Sequence, residues 1–322
     1  MNDEEVFSFS VQISPYAMEK IAQAKKDNAR FSHYTSAYVA TQIIERNEVW
    51  LRNALVMNDF SEVQHGQSCL LEAWNDEGVG GRLKRILNGL KPGLSDELAN
   101  GFDERKYDRS AQSYLVSISE HGSGTLDEDK YGRLSMWRAY GGENNVAFVF
   151  KNTPFLSEST ALMAFTSPVL YADSGRFKVE FTRVVDNLEA HLGLAATIGP
   201  DKVRQVIENA FHFAALSTKH PGFAEEREWR VIYSPTMWPS ERILSDVTTV
   251  GGVPQRIYKI PLVNHPDEGF LGATLPELLD EIIIGPSENA FSIYDALVLK
   301  LEAAGVPKPW EKVRRSNIPL RR

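Results

Sequence analysis

Apolar residues recur at helical spacing in several stretches of the chain, which predicts amphipathic helices there. Val39, Ile43 and Ile44 share one face of such a helix, and Thr35 or Ser36 can cap its first turn. The predicted helices cover residues 15–29, 36–46 and 61–90, two stretches within 177–216, and residues 288–303, the last capped by Ser287 and closed by Gly305. Residues 91–113 are rich in Gly, Asp and Lys and fit either a loop or a further helix.

Shorter runs of β-branched and aromatic residues predict strands between these helices. The runs read FSHY, EVWLRN, YLVSIS, NNVAFVF, SPVLYA (167–172), EWRVIYS, RIYKIPL and DEIIIGP. A last apolar run that carries Lys312, Arg314 and Arg315 predicts an edge strand over residues 310–321, because charged side chains protect an edge against pairing, and a basic binding tail is the alternative. We therefore expect an α+β fold with mixed, largely antiparallel sheets flanked by helices.

The chain shows no internal repeat and no low-complexity linker, so the sequence predicts one continuous domain over residues 1–322. We expect its core roughly within residues 31–304. The helix 15–29 would precede this core and the edge strand 310–321 would follow it.

Composition narrows the class of protein. The 322 residues are 43% hydrophobic and 24% charged, an ordinary profile for a soluble globular protein. No apolar stretch approaches the roughly 20 residues of a membrane helix, so we expect no membrane association. The opening residues MNDEEVFSFS lack a secretory signal, which predicts a cytoplasmic location. The single cysteine, Cys69, lies in an apolar helical stretch and is expected to be buried rather than reactive.

The net charge of −8 argues against a protein whose main task is to grip nucleic acid, because that affinity comes from clustered Lys and Arg. Nucleic acid as a substrate stays open. The sequence contains no Walker loop, no dinucleotide-binding fingerprint and no nucleophile elbow. The seven histidines show no pair at metal-ligand spacing on an evident helix face, so we expect no metal site built from histidine.

Four short segments carry the candidate chemistry: FSHYTS at 31–36, LVSISE at 115–120, SMWRAYGG at 135–142 and EEREWRVIY at 225–233. Each places polar or aromatic groups in or beside a strand-like apolar run. Such groups build a cleft at the edge of a sheet, so the sequence predicts a site there.

The first two segments offer groups that could contact a nucleotide. His33 is expected at the end of a strand and just before a helix, where its ring and the hydroxyls of Tyr34 and Thr35 can meet a phosphate or a ribose. Ser117 and Ser119 share one strand face and could contact the same ligand. A buried, hydrogen-bonded histidine and a serine pair without function are the structural alternatives.

Trp137 and Tyr140 stand three residues apart on one predicted helical face. They could wall a pocket for a flat ring, and an aromatic pair in the core is the structural alternative.

The last segment predicts two carboxylates and a guanidinium on one face of a strand. Glu226, Glu228 and Arg230 alternate with Arg227 and Trp229, so Trp229 is expected on the opposite face. Two carboxylates on one face repel each other unless Arg230 pairs with one or both face a wet cleft. A solvated face with an Arg–Glu ladder is the structural alternative.

Six segments in order resemble the bacterial domain-of-unknown-function family numbered 2971. They are the motifs HYT, LVMNDFSE, SISE, MWRAYG, EREWR and IIIGP, which together span roughly residues 31–290. That resemblance implies no settled activity.

The chain is more distantly similar to ADP-ribosyltransferases, which place a His or Arg, then a Ser-x-Ser strand or a Tyr, then a Glu on successive strands. The resemblance implies that NAD is the substrate and that His33 contacts its adenosine side. Tyr140 would stack on nicotinamide, and Ser117 or Ser119 would steady the site. Glu228 would stabilise positive charge on the ribose as nicotinamide leaves, and Glu226 would orient or deprotonate the acceptor. Either glutamate could be the catalytic one.

Three hypotheses follow. The first is an ADP-ribosyltransferase-like enzyme, such as a bacterial toxin or anti-phage effector, that acts on a protein or nucleic-acid acceptor. The second is a non-catalytic sensor that binds a nucleotide or a partner. The third is a metal-dependent phosphoester hydrolase that uses Asp59, Glu62, Glu226 and Glu228 as oxygen ligands. In the motif MNDFSE, a helix cap formed by Asn58 and its neighbours is the structural alternative.

Overall fold

The computed structural model describes residues 3–56, 60–122, 126–140, 142–250 and 252–319. Contacts within the chain group its residues into two compact units, each assembled from three separate stretches. The helical unit comprises Met1–Gln23, Asn53–Ser113 and Ser167–Ala224. The sheet unit comprises Ala24–Arg52, Tyr114–Thr166 and Glu225–Arg322.

The described residues form α-helices and β-strands that alternate in mixed order, together with two short 3-10 helices at Pro221–Glu226 and Pro266–Glu268. The α-helices are α1 (Asp3–Gln12), α2 (Pro15–Lys26), α3 (Ala37–Arg46), α4 (Phe60–Asn75), α5 (Val79–Leu90), α6 (Leu94–Ala111), α7 (Leu126–Tyr131), α8 (Leu134–Ala139), α9 (Ser174–Ala190), α10 (Leu192–Ile198), α11 (Pro200–Leu216), α12 (Leu275–Leu278), α13 (Ala290–Ala303) and α14 (Pro309–Lys312). The strands are β1 (Arg30–Ser36), β2 (Glu48–Asn53), β3 (Tyr114–His121), β4 (Asn145–Phe150), β5 (Ala164–Pro168), β6 (Leu170–Tyr171), β7 (Thr218–Lys219), β8 (Glu228–Tyr233), β9 (Leu244–Val250), β10 (Val253–Pro261), β11 (Leu279–Ile284) and β12 (Val313–Arg315).

The helical unit has its own hydrophobic core. Buried apolar side chains from α1, α4, α5, α9 and α11 form one continuous cluster, which includes Phe9, Leu87 and Phe181. Cys69 belongs to this cluster and is 2% exposed, which confirms that it is buried. None of the helices in the described part of the chain is both long enough and apolar enough to cross a bilayer.

The sheet unit is built around one large sheet with the order β12-β11-β4-β1-β3-β2-β10-β9, to which β8 and β5 are attached through β3. The pairs β1–β3, β1–β4, β4–β11, β3–β8, β2–β10 and β9–β10 are antiparallel, and the pair β11–β12 is parallel. Helices α3 and α13 contribute to the hydrophobic core on one face, and α8 contributes to a cluster on the other. The predicted fold class, a mixed and largely antiparallel sheet flanked by helices, is therefore confirmed.

Strand β3 is a branch point because it has three neighbours, β1, β2 and β8. Strand β8 pairs with residues Tyr114 to Ser119 of β3 and so occupies one edge of that strand. Strand β1 pairs only with the last residues of β3, Ser119 to His121. Strand β2 is therefore left with the rest of the second edge, since a strand has only two. We call the place where β1 and β2 diverge along β3 the fork.

Several predicted boundaries need correction. The helix predicted at 15–29 ends at Lys26 and is preceded by α1, which the sequence analysis did not predict. Residues 177–216 lie in three helices rather than two, and residues 94–111 are helical. The predicted strand at 167–172 is divided between β5 and β6. The edge strand predicted over 310–321 is confirmed only as Val313–Arg315, because α14 precedes it.

Candidate functional site

Strands β3 and β8 hold four of the predicted site residues side by side. Their antiparallel register sets Ser117 opposite Arg230 and Ser119 opposite Glu228, so these side chains share one face of the sheet. Ser117 Oγ donates a hydrogen bond to Glu228 Oε1 over 2.5 Å. Arg230 Nε donates to the same oxygen over 2.8 Å, and its Nη2 donates to Oε2 over 3.2 Å. We call Ser117, Glu228 and Arg230 the carboxylate cluster.

The charges of this cluster are buried. Glu228 is 6% exposed and Arg230 is 1% exposed. A buried carboxylate is tolerated only when it is paired and hydrogen-bonded, and Arg230 and Ser117 supply both requirements. The alternative of a solvated Arg–Glu ladder is therefore wrong. Trp229 packs against Phe31 with ring centroids 5.2 Å apart and points to the opposite face, as predicted.

His33 is linked to the strand that carries Ser117 by a hydrogen bond to its backbone. Its Nδ1 lies 3.0 Å from the carbonyl oxygen of Ser117, and a carbonyl only accepts, so Nδ1 carries the hydrogen. Burial lowers the pKa of His33, and the bond to Ser117 opposes that shift without cancelling it. The ring is therefore neutral at pH 7, and its Nε2 is an acceptor. The His33 imidazole donates to the backbone carbonyl of Ser117, which lies on β3 just past Ser119, the last β3 residue that pairs with β1. The imidazole therefore lies at the fork.

The predicted position of His33 next to a helix N-terminus is wrong. Strand β1 continues to Ser36, so His33 lies in the middle of the strand. Ser32 pairs with Ser119, which places the His33 side chain on the face opposite to that of Ser119. Thr35 follows His33 on the same face, opposite Val146 of β4.

Arg133 fixes the chain that leads into β8, and the sequence analysis missed it. Its Nη1 donates to Ser119 Oγ over 2.7 Å and to the carbonyl of Glu226 over 2.8 Å. Its Nη2 donates to Glu128 Oε1 over 2.5 Å and to the carbonyl of Glu120 over 2.9 Å. No spacing in the sequence distinguishes Arg133 from the other charged residues around it, because two of its four partners are backbone carbonyls and one of these, that of Glu226, is distant along the chain.

Ser119 is part of this network. Its Oγ donates to the carbonyl of Glu226 over 2.5 Å while accepting from Arg133, and the residue is 2% exposed. The Ser119 hydroxyl therefore links Arg133 to the backbone of Glu226 and has a structural role. The Ser117 hydroxyl, in contrast, is half-buried and donates to a carboxylate.

Glu226 does not lie on the strand, which corrects the prediction of two carboxylates on one strand face. It ends the 3-10 helix Pro221–Glu226, and β8 begins at Glu228. Between them Arg227 has φ of 45°, a left-handed conformation that interrupts the alternation of side chains. Arg227 also pairs with the buried carboxylate of Glu128, which anchors this turn.

Tyr34 and Trp137 belong to a hydrophobic cluster with Ala147 and Val149 of β4. Their rings meet edge to face with centroids 4.7 Å apart, and they are 7% and 4% exposed. The Tyr34 hydroxyl accepts from the backbone N–H of Arg133 over 2.9 Å, and Trp137 Nε1 donates to the carbonyl of Tyr131. The structural alternative, a core position, therefore holds for Trp137.

Tyr140 does not share a helical face with Trp137. Helix α8 ends at Ala139, and Tyr140 is extended, with φ of −128° and ψ of 139°. It is half-buried against the cluster of Tyr34 and Trp137.

The acidic motif MNDFSE is only partly described. Asn58 and Asp59 lie outside the described residues. Glu62 is 8% exposed and pairs with Nζ of the buried Lys219 over 2.8 Å, within the helical unit. Among the described residues, no group of three or more His, Cys, Asp or Glu side chains is arranged to hold a metal ion.

Comparisons with known proteins bear on the family and not on the chemistry. Neither the curated proteins nor the solved structures give a match to this chain. Residues 136–231 match a family model whose description is protein of unknown function (DUF2971). This stretch begins in α8 and ends in β8, so it includes Glu228 and Arg230. The match supports, over these residues, the resemblance to family 2971 that the six sequence segments indicated.

Proposed function

We propose that this chain is an NAD-consuming enzyme of the ADP-ribosyltransferase type, in which Glu228 is the catalytic carboxylate. One observation carries the proposal: Glu228, on β8, is held in a fixed orientation by Ser117 of β3 and by Arg230 of its own strand. A single oriented carboxylate in the sheet fits a substrate that presents ribose hydroxyls, and His33 lies at the fork on the opposite strand face.

The chemistry needs a fixed negative charge. Nicotinamide leaves when the glycosidic bond between ribose C1′ and the pyridinium nitrogen breaks, and the bonding electron pair departs with neutral nicotinamide. Positive charge then develops on the ribose until an acceptor oxygen or nitrogen bonds C1′ and loses its proton. A carboxylate that accepts a hydrogen bond from a ribose hydroxyl stabilises this charge without reorienting. Arg230 and Ser117 hold Glu228 in one orientation, because both donate hydrogen bonds to its carboxylate.

The other predicted substrate contacts are assigned from the position of each side chain. His33 Nε2, an acceptor, can receive a hydrogen bond from a hydroxyl on the adenosine side, with Thr35 on the same strand face. Tyr140 is half-buried and is proposed to stack on nicotinamide. Glu226 precedes the turn at Arg227 and is proposed to orient the acceptor or take its proton. Tyr34 and Trp137 support the site from the core.

The biological role follows from the same resemblance. We propose a cytoplasmic toxin or anti-phage effector of bacterial type that modifies a protein or nucleic-acid acceptor. The matched family description assigns no activity, so the proposal depends on the Glu228 geometry.

The test is nicotinamide release from NAD by the purified full chain, alone and with cell lysate or RNA. Glu228→Gln is expected to lower the release rate by about 100-fold or more, the usual effect of removing a group that stabilises charge in the transition state. Glu225→Gln is the matched control, because Glu225 is exposed and its carboxylate only accepts from Ser135. Its rate should stay within about twofold of the unmodified chain.

Glu228→Gln leaves Arg230 without its partner, so the double variant Glu228→Gln/Arg230→Met keeps the test valid if the single variant does not fold. Full nicotinamide release by a folded Glu228 variant would refute the assignment. NAD binding without release in the unmodified chain would support the sensor alternative instead.

A further inference from the structure

A pocket of about 470 Å³ lies in the sheet unit, where the parallel edge strands β11 and β12 end and α13 begins. This volume is within the range of roughly 300–1,000 Å³ that is typical of small-molecule sites. Neither the carboxylate cluster nor His33 lines it. A ligand bound there would therefore be separate from one bound at the fork.

The pocket is positively charged. Lys130, Arg314 and Arg315 line it, and no described lining residue carries a carboxylate. Arg314 is partly neutralised, because its Nη2 lies 3.0 Å from Oε1 of Glu281. Lys130 and Arg315 are exposed and form no ion pair among the described residues. Two cations are thus available to an anion within a chain whose net charge is −8.

Two aromatic side chains, Phe291 and Tyr294, also line the pocket. Phe291, in the first turn of α13, is 70% exposed. The guanidinium carbon of Arg315 lies 6.0 Å from the centre of its ring. Tyr294, one helical turn further on, is half-buried and its hydroxyl donates to the carbonyl of Trp310 over 3.3 Å. A flat ring can stack on these faces.

Ser316 supplies an independent sign of a missing partner. It lines the pocket and is 2% exposed, and its Oγ has no hydrogen-bond partner among the described residues. Its backbone N–H is already used, since it donates to the carbonyl of Ile284 over 2.8 Å. Buried hydroxyls are normally satisfied, so an acceptor from a bound ligand would complete this one.

From these features we infer that the pocket binds a nucleoside phosphate, with the base on Phe291 and Tyr294 and the phosphate between Arg315, Lys130 and Ser316. The combination of a planar guanidinium, a second cation and a hydroxyl donor suits a phosphate group. The exposed aromatic ring suits a base. The nucleotide could be free or could be the end of a single strand, and both sources share this chemistry.

Calorimetric titration of the full chain with AMP, adenosine, inorganic phosphate and a short single-stranded oligonucleotide tests the inference. AMP should bind at least about tenfold more tightly than adenosine or phosphate alone, because only AMP reaches both halves of the pocket. Phe291→Ala and Arg315→Gln should each weaken AMP binding by about tenfold, and Ser316→Ala should weaken it by less. An oligonucleotide that binds more tightly than AMP would identify a strand as the source, and equal or weaker binding would identify the free nucleotide.

Two exposed residues outside the pocket are matched controls. Leu299→Ala changes an exposed apolar side chain on the same helix, and Arg138→Gln removes an exposed positive charge elsewhere. Both should leave the AMP affinity within about twofold. The inference is overturned if AMP does not bind, if Phe291→Ala and Arg315→Gln bind AMP as the unmodified chain does, or if His33→Ala alone abolishes binding. The last result would assign AMP to the fork. The proposed function is tested by nicotinamide release with Glu228→Gln and this inference by AMP binding with the pocket variants, so either proposal can be refuted while the other stands.

Discussion

His121 is a buried imidazole whose two ring nitrogens have no hydrogen-bond partner among the described residues. It ends β3, is 2% exposed, and lies 3.7 Å from a carboxylate oxygen of Asp129. Burial lowers its pKa to about 4, with a further lowering by Arg30, while Glu128, Asp129 and Glu281 oppose the shift. The ring is therefore neutral throughout the physiological range.

This lowered pKa predicts a loss of stability in mild acid. In the unfolded chain His121 takes up a proton near its ordinary pKa of about 6.5, whereas in the folded chain it does so only near 4. The free energy of unfolding should fall as the pH drops through this window, by at most roughly 3 kcal/mol from this residue. Urea unfolding of the unmodified chain and of His121→Asn, measured between pH 8 and pH 4, checks it.

The comparison uses the difference in the free energy of unfolding between the unmodified chain and His121→Asn, because the other groups titrate equally in both proteins. That difference should be constant above pH 7 and shrink below pH 6.5. A difference that stays constant down to pH 4 would show that His121 titrates normally in the folded chain.

The residue scale also shows where sequence analysis succeeds and fails. The shared face of Arg230 and Glu228 was predicted because alternation along a strand fixes which side chains share a face, and their pairing was one of the two alternatives left open. Glu226 was assigned wrongly because its sequence pattern continues that alternation, whereas the left-handed turn at Arg227 has no local signal. The role of Arg133 could not be predicted, because its bonds go to backbone carbonyls brought near by the tertiary fold.

At the scale of elements, the start of α3 depends on one side chain. Ser36 is its N-cap, and the Ser36 hydroxyl accepts from the backbone N–H of Val39 over 3.2 Å. The helix packs Ala40, Ile43 and Ile44 into the core of the sheet unit. It also follows β1 directly, so the cap sets where the strand becomes a helix.

Ser36→Ala should lower the free energy of unfolding by about 1 kcal/mol, since an N-cap hydroxyl satisfies a helical N–H that otherwise has no partner. Chemical denaturation measures the change. Ser36→Asp, which can also cap, should restore most of the stability. A loss equally large in Ser36→Asp would mean that the hydroxyl acts through something other than the cap.

Elements with strong local signals were predicted best. The cap and apolar face of α3, and the alternation in β3 and β8, are local properties and match the structure. Helix α1 was not predicted, because its sequence combines an acidic start with aromatic and serine residues and shows no clear stripe. The division of residues 177–216 into three helices depends on short breaks, one of them at Gly199, which has φ of 84°.

At the scale of the whole molecule, the central strands of the large sheet should resist local unfolding more than its edge strands. Strand β3 is bonded along both edges and is almost entirely buried. Strand β9 pairs with β10 alone, and most of its residues are exposed. Local opening is easiest where few buried contacts must be broken.

Hydrogen exchange followed by mass spectrometry should therefore show β3 amides exchanging at least about 100-fold more slowly than those of β9. Peptides from β4, which is fully buried, serve as the internal reference for slow exchange. Equal rates in β3 and β9 would mean that the sheet opens as one cooperative body.

The pairing of β3 with strands from distant parts of the sequence also has a consequence for how the chain is made. The partners of β3 come from both sides of it in the sequence, and β8 begins at Glu228, long after β3 has ended at His121. At typical synthesis rates the ribosome needs roughly 5–20 s to make the intervening residues. Throughout that time β3 has an open edge that can pair with another nascent chain. Ser117 receives Glu228 only when β8 arrives, so the candidate site is completed late, and a chain interrupted before this point carries no carboxylate cluster.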